Sequence, residues 1–418
     1  MHIEIVTFGN EVLSGRTLDT NFAFLARALE EISVQVGWHS TVADTGERIA
    51  EGLTNALKRA DAVIMTGGLG PTPDDVTRKA VSTVLGRPLH LDEGVLESIR
   101  ARGRKFGRKL PASVETMALV PNGAEVWANP EGAAPGLLIM HRDKPVILLP
   151  GVPQEMEALA REFVIPWLRE RAGRAVEVFT LRTYGTYESV LDERIGNLSD
   201  GWPGASLAYL PSFFGVDLRV TVSGPTAAAV RETSVRAYNE LFALVSGVTY
   251  AEDGHTMEEV VGAVLAEKNW RIATAESCTG GLVAKRLTDV PGSSRYVELG
   301  LVTYSNDAKY TMLGVDRATL EAQGAVSAAV AEQMALGARE HAGVEVGIGV
   351  TGIAGPDGGT DNKPVGTVFI AVSSPLGAAV RVHRMHGTRS TIRERAAQTA
   401  LDMVRRHLLE LPVDPVLG

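Results

Sequence analysis

The chain has 418 residues, of which 45% are hydrophobic and 22% charged, so we expect two or three globular domains rather than a disordered chain. Its formal net charge of −9 repels phosphate polymers, which disfavours a nucleic-acid partner. The single cysteine, Cys278, excludes an intrachain disulfide, and the polar His2 and Glu4 exclude a signal peptide or membrane span over the first ten residues. We therefore expect a cytoplasmic protein with no membrane partner.

Residues 1–168 alternate short apolar runs with helical patterns, which is typical of an α/β domain. The patterns predict strands over 3–8 and 62–65 and helices over 21–30, 47–59 and 74–85. Strands that alternate with helices of this length favour a mostly parallel sheet covered on both faces. Ligands bind such sheets beyond the carboxyl ends of the strands, so we expect a site in the loops after Phe8, Met65 and Leu149.

Residues 171–250 have a different pattern and are predicted to form a small α+β module. The predicted strands are 176–183 and 216–222, and the predicted helices are 189–198 and 226–242. The module contains no dense polar cluster, so we expect it to link the outer domains or to form a homodimer, with residues 247–254 as a hinge.

Residues 255–418 return to the alternating pattern, starting with a capping box, Thr256-Met257-Glu258-Glu259, at the head of a helix. The pattern then predicts strands over 271–274, 297–303, 344–350 and 365–372 and a closing helix over 391–409. The predicted fold class is therefore α/β, with two α/β domains of mostly parallel sheet joined by a small α+β module.

A glycine-rich segment, Thr-Gly-Gly-Leu-Gly-Pro-Thr-Pro-Asp-Asp-Val-Thr over 66–77, follows a predicted strand and opens a predicted helix. Backbone N–H groups in such a segment bind phosphate, so the candidate substrate ligands here are Thr66, Gly67, Gly68 and Gly70. Asp74 and Asp75 suit a divalent cation, either Mg²⁺ or a transition metal, that bridges to the phosphate. The alternative is that the glycines shape a tight turn and Asp74 caps the helix.

Three further loops are expected near this segment. The second loop supplies Gly9, Asn10 and Glu11, the third spans 129–136, and the fourth supplies Pro150 and Gly151. All four loops fit around one pocket, although ordinary turn chemistry explains each loop taken alone.

These motifs resemble known families. Residues 1 to about 165 resemble the molybdopterin-binding, MogA/MoaB-like domain, and the Gly-Asn-Glu, Thr-Gly-Gly-Leu-Gly-Pro-Thr-Pro-Asp-Asp and Leu-Pro-Gly-Val-Pro motifs more closely resemble the competence/damage-inducible CinA family. The resemblance implies metal-dependent hydrolysis of ADP-ribose to AMP and ribose 5-phosphate. The general base is unassigned, with Glu11, Asp44 and Glu131 as candidates. The alternatives are a non-catalytic pterin- or nucleotide-binding module, or a DNA-uptake or repair partner.

A basic run at 100–109 is the one local argument for nucleic acid. It contains Arg100, Arg102, Arg104, Lys105, Arg108 and Lys109. A solvated surface is the simpler interpretation, and a lid over an anionic nucleotide is the alternative.

In the last domain, the segment 274–282 (Thr-Ala-Glu-Ser-Cys-Thr-Gly-Gly-Leu) again follows a strand and starts a helix. Ser277 is a candidate nucleophile, and the N–H groups of residues 278–281 suit an oxyanion hole or a phosphate. Lys309 can act as its base when neutral, while Tyr304 can relay the proton or donate to the substrate. The alternatives are that Ser277 is a helix cap and that Lys309 pairs with Asp307 on the surface.

Two further features belong to the same predicted sheet edge. A glycine-rich loop over 349–359 offers Thr351, Gly352 and Gly355 to a phosphorylated ligand. Cys278 is a rival nucleophile, but a small side chain beside a tight turn more simply contributes to packing.

The Glu-Ser-Cys-Thr-Gly-Gly, Thr-Tyr-Ser-Asn-x-x-Lys and Gly-Ile-Ala-Gly-Pro-Asp-Gly-Gly motifs resemble the CinA C-terminal domain, known as nicotinamide mononucleotide (NMN) deamidase. The resemblance implies that Ser277, Tyr304 and Lys309 are catalytic and that NMN is hydrolysed to nicotinic acid mononucleotide and ammonia. Thr279, Gly280 and Gly281 then bind the phosphate or the oxyanion. Arg389 and Arg393 either bind the 5′-phosphate or form a solvated helix face. The expected protein is a bifunctional enzyme of pyridine-nucleotide recycling.

Overall fold

The structure is a computed structural model that describes residues 1–105 and 112–414. It divides into two compact units, Met1–Glu177 with Val222–Arg231, and Val178–Thr221 with Glu232–Gly418. Within the described ranges, every helix is too short or too polar to cross a membrane. The predicted α/β fold class is confirmed. The last sheet is mixed rather than mostly parallel, because two of its four strand pairings are antiparallel.

The first unit is built on a mixed sheet with a parallel centre. Its strands in chain order are β1 (His2–Phe8), β2 (Gln35–Val42), β3 (Ala62–Thr66), β4 (Leu89–Leu91), β5 (Leu119–Pro121), β6 (Glu125–Trp127), β7 (Gly136–His141) and β8 (Lys144–Leu149). The six-stranded sheet has the order β2-β1-β3-β8-β7-β6, and β4 pairs with β5 separately. The pairings among β2, β1, β3 and β8 are parallel, while β7 pairs antiparallel with β8 and β6. The carboxyl ends of four parallel strands therefore meet at one edge.

Helices cover both faces of this sheet. They are α1 (Asn10–Leu13), α2 (Thr20–Glu30), α3 (Gly46–Arg59), α4 (Thr77–Leu85), α5 (Glu93–Lys105), α6 (Pro153–Leu159) and α7 (Ile165–Ala172), with a π-helical turn at Ala160–Val164. One apolar cluster contains Val6 and Met65 together with Leu53 of α3, and another contains Ile5 together with Leu25 of α2. Successive strand residues thus pack on opposite faces, as a sheet buried on both sides requires.

The helix predicted to start at Asp74 instead begins at Thr77. Pro71 and Pro73 have no N–H group, and the carboxylate of Asp75 accepts hydrogen bonds from the backbone and hydroxyl of Thr72. This local turn delays the helix, so both aspartates lie in the loop before it.

The middle module forms a four-stranded sheet. Its strands and helices are β9 (Ala175–Thr183), α8 (Glu188–Ile195), β10 (Ala205–Ser212), β11 (Gly215–Gly224), α9 (Ala227–Val245) and β12 (Thr249–Glu252). The strand order is β10-β11-β9-β12, and β12 pairs antiparallel with β9. Half of the predicted hinge over 247–254 is this paired strand, Thr249–Glu252.

The second unit ends in a five-stranded sheet. Its strands and helices are α10 (Met257–Lys268), β13 (Ile272–Glu276), α11 (Leu282–Asp289), β14 (Val297–Val302), α12 (Asn306–Leu313), α13 (Arg317–Gln323), α14 (Ala328–Ala342), β15 (Val346–Gly352), β16 (Thr367–Ser374), β17 (Gly377–Arg384) and α15 (Arg389–Leu408). The order is β14-β13-β15-β16-β17, in which β13 pairs parallel with β14 and β15. The remaining pairings, β15–β16 and β16–β17, are antiparallel.

This sheet is also buried between helices. Ile348 packs in a cluster with Ala400 of α15, and Ala275 packs in a cluster with Met334 of α14. The predicted capping box is present at the head of α10, where Thr256 and Glu259 bond to each other's backbone N–H groups. Short 3-10 helices lie at Ala112–Ala118, Leu198–Gly201 and Ser293–Arg295.

Candidate active sites

Ser277 and Lys309 lie side by side at the carboxyl edge of the second unit's sheet. Ser277 directly follows β13, and its N–H donates to the carbonyl of Val350 in the adjacent β15 (2.9 Å). Lys309 lies in the first turn of α12, a helix capped by the side chain of Ser305. Lys309 Nζ is 3.3 Å from Ser277 Oγ and donates to the carbonyl of Thr303 (2.9 Å).

The environment of Lys309 favours its neutral form. The residue is only 1% exposed, and burial lowers the pKa of its amine, with a smaller opposing effect from Cys278. Its hydrogen-bond partners are carbonyl and hydroxyl oxygens, none of them charged. Asp307 pairs with Arg317 instead (3.7 Å), so the alternative of a surface Lys309–Asp307 pair does not hold.

Cys278 is poorly suited to be the nucleophile. The residue is buried, and burial raises the pKa of its thiol to about 12. At neutral pH the sulfur is therefore a protonated thiol rather than a reactive thiolate. Its packing against the apolar cluster of the sheet agrees with a structural role.

The turn after Ser277 uses some of the N–H groups that sequence reasoning assigned to an oxyanion hole. The Gly280 N–H donates to the carbonyl of Ser277 (3.1 Å), which closes the turn. The Gly280 N–H is therefore engaged within the turn and is not a donor for a ligand. Gly280 has φ +61°, a left-handed conformation that favours glycine.

Tyr304 and the two arginines of α15 lie around the same turn. The Tyr304 hydroxyl accepts a hydrogen bond from Arg389 (3.0 Å), which also donates to the carbonyl of Gly355 (2.7 Å). Arg393 donates to the carbonyl of Thr279 (2.8 Å). Both guanidinium groups therefore connect loops of the candidate site, and Arg389 is at the same time exposed to solvent.

Two further predicted ligands are more deeply embedded. The Thr351 hydroxyl donates to the carbonyl of Ala325 (2.7 Å), so its side chain supports the adjoining loop. Gly352 pairs with Val368 at the end of β15, where an added Cβ would lie 2.8 Å from the carbonyl oxygen of Thr367. Both residues lie at the carboxyl end of β15, on the edge of the sheet where Ser277 lies.

Glu276 is a buried carboxylate that sequence reasoning missed. It is 0% exposed, and its two oxygens accept hydrogen bonds from the N–H groups of Val283 (3.1 Å) and Ala284 (2.8 Å) in the first turn of α11. It therefore ties the end of β13 to the start of α11 across the Ser277 turn. A helix cap normally bonds two or three residues ahead, so this longer separation carries no local sequence signal.

In the first unit, the four predicted loops surround one cleft of about 760 Å³. The predicted ligands that line it are Gly9, Glu11, Thr66, Gly67, Gly68, Gly70, Asp74, Asp75, Pro150 and Gly151. Asn10 is exposed and absent from this lining, and its side-chain amide donates to the carboxylate of Asp44, which lines the cleft. Asn21 donates to the carbonyl of Gly151 (2.9 Å) and so connects the start of α2 to the fourth loop.

The glycine-rich loop is organised by a buried arginine that was not anticipated. The guanidinium of Arg78 donates to the carbonyls of Leu69 and Gly70, the latter at 3.1 Å. Burial lowers the pKa of Arg78, and the nearby Asp75 opposes that shift. Thr77 adds a hydrogen bond from its hydroxyl to the carbonyl of Gly67 (3.0 Å). Side chains of α4 therefore hold the loop in shape.

The cleft is strongly acidic. The carboxylates that line it are Glu11, Asp19, Asp44, Asp74, Asp75 and Glu155. Among the described residues of its lining there is no lysine, arginine or histidine. Burial raises the pKa of Glu155, although a hydrogen bond from Asn129 (2.7 Å) opposes this. Glu131, a predicted candidate base, is exposed and absent from this lining.

These carboxylates do not form a preassembled metal centre. Within residues 1–105 and 112–414, no group of three or more His, Cys, Asp or Glu residues is arranged to hold a metal ion. One oxygen of Asp75 already accepts hydrogen bonds from Thr72. Asp74 and Asp75 alone would supply only part of the oxygen shell of a cation such as Mg²⁺, so water and a bound phosphate would have to complete it.

The basic run is mostly engaged in local contacts. Arg100 pairs with Glu115 (2.6 Å) and Arg104 pairs with Glu97 (2.5 Å). Arg102 donates to the carbonyl of Pro130 (3.1 Å) in the third loop. Arg108 and Lys109 lie outside the described residues. These contacts agree with the interpretation of a solvated surface.

Three family models match the chain in succession. They are “Probable molybdopterin binding domain” over residues 4–170, “Damage-inducible protein CinA KH domain” over residues 180–250 and “CinA C-terminal domain” over residues 254–408.

Relatives match along the full length. A CinA-like protein of Gemmatimonas aurantiaca is 42% identical over 425 residues, covering 100% of this chain and 99% of the relative. A CinA-like protein of Chlorobaculum tepidum is 42% identical over 407 residues, covering 95% and 96%. A solved structure of CinA from Thermoplasma acidophilum is 39% identical with a TM-score of 0.36, covering 38% of this chain and 94% of that one. The resemblance inferred from the sequence motifs is confirmed, and the chain belongs to the CinA family.

Proposed function

We propose that the C-terminal domain is a serine amidohydrolase that converts NMN to nicotinic acid mononucleotide and ammonia. The observation that carries this proposal is the buried Lys309 amine, 3.3 Å from Ser277 Oγ. A serine hydroxyl needs a base to become nucleophilic, and a desolvated lysine with a lowered pKa supplies one.

The reaction follows from this pair. The Ser277 hydroxyl proton moves to the neutral Lys309 amine as Oγ attacks the carboxamide carbon, and Lys309 returns the proton to the leaving nitrogen. The carbon–nitrogen bond breaks, ammonia leaves, and an ester links Ser277 to the nicotinoyl group. Water then loses a proton to Lys309 and attacks the ester carbon. Ser277 recovers that proton as nicotinic acid mononucleotide departs.

The surrounding groups suit the charges of this substrate. The N–H groups of Cys278, Thr279 and Gly281 belong to the turn that follows Ser277 and are the candidate donors to the oxyanion. Arg389 and Arg393 each carry five N–H donors, more than their contacts with the protein use, so both have donors left for the 5′-phosphate.

The test is ammonia release from NMN by the full-length protein. We expect Ser277→Ala and Lys309→Ala each to lower kcat by about 10³-fold or more, since they remove the nucleophile or its base. Lys285→Ala is the matched control, because Lys285 is an exposed lysine that pairs with Asp289 (2.5 Å). Full release of ammonia from NMN by the Ser277→Ala variant would contradict the mechanism.

We also propose that the N-terminal domain hydrolyses ADP-ribose to AMP and ribose 5-phosphate with Mg²⁺. The acidic cleft supports this, because a diphosphate in a cleft lined by carboxylates and no basic side chain needs a cation to offset the repulsion. Asp74 and Asp75 are the residues that would hold the ion. When bound, it would polarise a phosphoryl oxygen and help to activate water.

The chain's own residues supply the rest of this reaction. The N–H groups of residues 68–70 are the donors to the phosphate oxygens, because the Gly67 N–H already donates to the carbonyl of Leu149 (3.0 Å). Glu11, Asp44 or Glu155 takes a proton from the attacking water as a phosphorus–oxygen bond of the diphosphate breaks. Glu155 is the candidate whose pKa burial raises, which brings it closer to neutral pH.

The test is release of AMP from ADP-ribose with and without Mg²⁺. We expect activity that depends on Mg²⁺ and a loss of about 10²-fold or more in Asp74→Ala. Glu131→Gln is the matched control, because that exposed glutamate lies outside the cleft lining. Tight ADP-ribose binding by wild-type protein without any turnover would favour the alternative of a non-catalytic binding module.

A further inference from the structure

A second cleft in the Val178–Gly418 part of the chain contains none of the residues discussed above as the deamidase site. It has a volume of about 570 Å³, within the range of small-molecule pockets. Loops after β9 and between β10 and β11 form one wall, and the end of β17 with the first half of α15 forms the other. We call it the side pocket.

Aromatic rings stand exposed on the first wall of the side pocket. Tyr187 is 77% exposed and Phe213 is 52% exposed, and both residues line the pocket. Tyr184, deeper in the wall, is held by a hydrogen bond between its hydroxyl and Thr399 Oγ1 (2.6 Å). Exposed planar rings beside a cavity suit a planar, apolar ligand face.

Positive charge stands on the opposite wall. Arg395 donates to the carbonyl of His386 (3.0 Å), and Arg384 donates to the carbonyl of Asn362 (3.1 Å) and the hydroxyl of Thr367. These acceptors are uncharged, and within the described residues neither arginine has a carboxylate in an ion pair. Each guanidinium therefore keeps both its net charge and unused N–H donors for an anion.

We infer that the side pocket binds a nucleotide, with its base against Tyr187 and Phe213 and its phosphate on Arg384 and Arg395. Glu188, also in the lining, is an acceptor suited to the ribose hydroxyl groups. Aromatic rings can stack on the base, the carboxylate can accept hydrogen bonds from the ribose, and the two guanidinium groups can bind the phosphate. A small nucleotide fits better than a nucleic-acid polymer, because the net charge of −9 repels long phosphate chains.

The side pocket is separate from the Ser277 site although α15 contributes to both. Arg389 and Arg393 contact Tyr304, Gly355 and the carbonyl of Thr279, none of which lines the side pocket. Arg395 and Thr399, farther along the same helix, line it instead. The inference therefore stands independently of the proposed reactions.

The experiment is photolabelling of the full-length protein with 8-azido-AMP, followed by mass spectrometry of the labelled peptides. We expect label on residues 184–189 or 211–216, and we expect excess AMP to suppress it. The double variant Arg384→Ala/Arg395→Ala should reduce this label by about tenfold or more, because it removes both phosphate ligands. Tyr187→Ala, at an exposed position that bears little on folding, should also reduce it.

Arg381→Ala is the matched control and should label like the wild type. Arg381 is an exposed arginine of the same strand, paired with Asp414 (3.4 Å) and absent from the side pocket. No label on either segment in the wild type would overturn the inference, as would equal label in Tyr187→Ala and wild type. Suppression by a single-stranded oligonucleotide but not by AMP would also overturn it.

Discussion

Lys309 Nζ lies 3.3 Å from Ser277 Oγ, and among residues 1–105 and 112–414 no carboxylate forms an ion pair with this buried amine. Three oxygens surround it, from Ser277 and from the carbonyls of Thr303 and Tyr304. Carbonyl dipoles offset only part of the cost of burying an ammonium ion, so burial lowers the pKa of the Lys309 amine. Burial of Lys309 thus costs folding stability, and it also lowers the pKa of the amine that the proposed reaction uses as a base.

The first prediction concerns the pH dependence of NMN deamidation. Burial places the pKa of Lys309 below its ordinary value of 10.5, and the reaction requires the unprotonated amine. We expect log(kcat/KM) to rise with pH and to level off at a pH below 10.5, as Lys309 loses its proton. The measurement is a pH–rate profile of ammonia release from about pH 6 to pH 10.

Lys309→Arg is the control for this profile. It keeps a long cationic side chain, but a guanidinium does not deprotonate in this range, so activity should be lost at every pH. A profile of unchanged shape and comparable rate in that variant would contradict the assignment of the ionisation to Lys309.

The second prediction concerns the hydrogen bond between Arg389 and Tyr304. If Arg389 orients the exposed Tyr304 ring over the substrate, Arg389→Ala and Tyr304→Phe remove the same interaction. The double variant should then lose less activity than the product of the two single losses, by about fivefold, or about 1 kcal/mol of coupling. The measurement is kcat/KM for NMN in a double-mutant cycle.

Tyr310→Phe provides the comparison, because Tyr310 is also partly exposed on α12 but contacts Arg317 rather than Arg389. Its cycle with Arg389→Ala should show independent effects. If the losses of kcat/KM from Arg389→Ala and Tyr304→Phe were also independent, Arg389 would not position Tyr304.

The third prediction concerns Glu276 as a positioning residue. Its carboxylate holds the first turn of α11 across the Ser277 turn, so Glu276→Gln leaves one backbone N–H without its acceptor. We expect kcat for NMN to fall by about tenfold with little change in KM, and Glu276→Ala to fall further, because an altered turn misplaces the nucleophile more than the binding groups.

Glu298→Gln is the matched control for Glu276. Its carboxylate pairs with Arg271 at the opposite, amino end of the same sheet. If kcat for NMN fell as much in Glu298→Gln as in Glu276→Gln, the fall would be explained by general destabilisation of the sheet rather than by positioning of Ser277. A higher KM at unchanged kcat in Glu276→Gln would contradict positioning of the nucleophile.

The proximity of Ser277 and Lys309 follows from a rule that sequence reasoning can use. Both follow parallel neighbouring strands, and carboxyl ends of such strands meet at one edge. The contacts of Glu276 and Arg78 escape such reasoning, because Glu276 bonds seven and eight residues ahead and Arg78 reaches back to a loop whose shape depends on the whole turn. The edge strand β17 lacks a buried face, so its pattern does not mark it as a strand.

The fourth prediction concerns Gly68 in the acidic cleft. Gly68 has φ +63°, and an added Cβ would lie 2.2 Å from Thr77 Oγ1, whose hydroxyl holds the carbonyl of Gly67. Gly86, at the end of α4, has the same φ of +63°, but a Cβ added there would have no atom within 4 Å. Gly86→Ala therefore measures the backbone strain without the clash. Both variants should lose about 1 kcal/mol of stability from backbone strain, and Gly68→Ala should lose more because of the clash with Thr77.

The two variants should also differ in activity. Only Gly68→Ala should abolish AMP release from ADP-ribose, while both should keep NMN deamidation, whose residues lie in the other compact unit. Thermal unfolding and the two activity assays test this, and equal behaviour of Gly68→Ala and Gly86→Ala in all three would show that the loop geometry at Gly68 does not matter to the cleft.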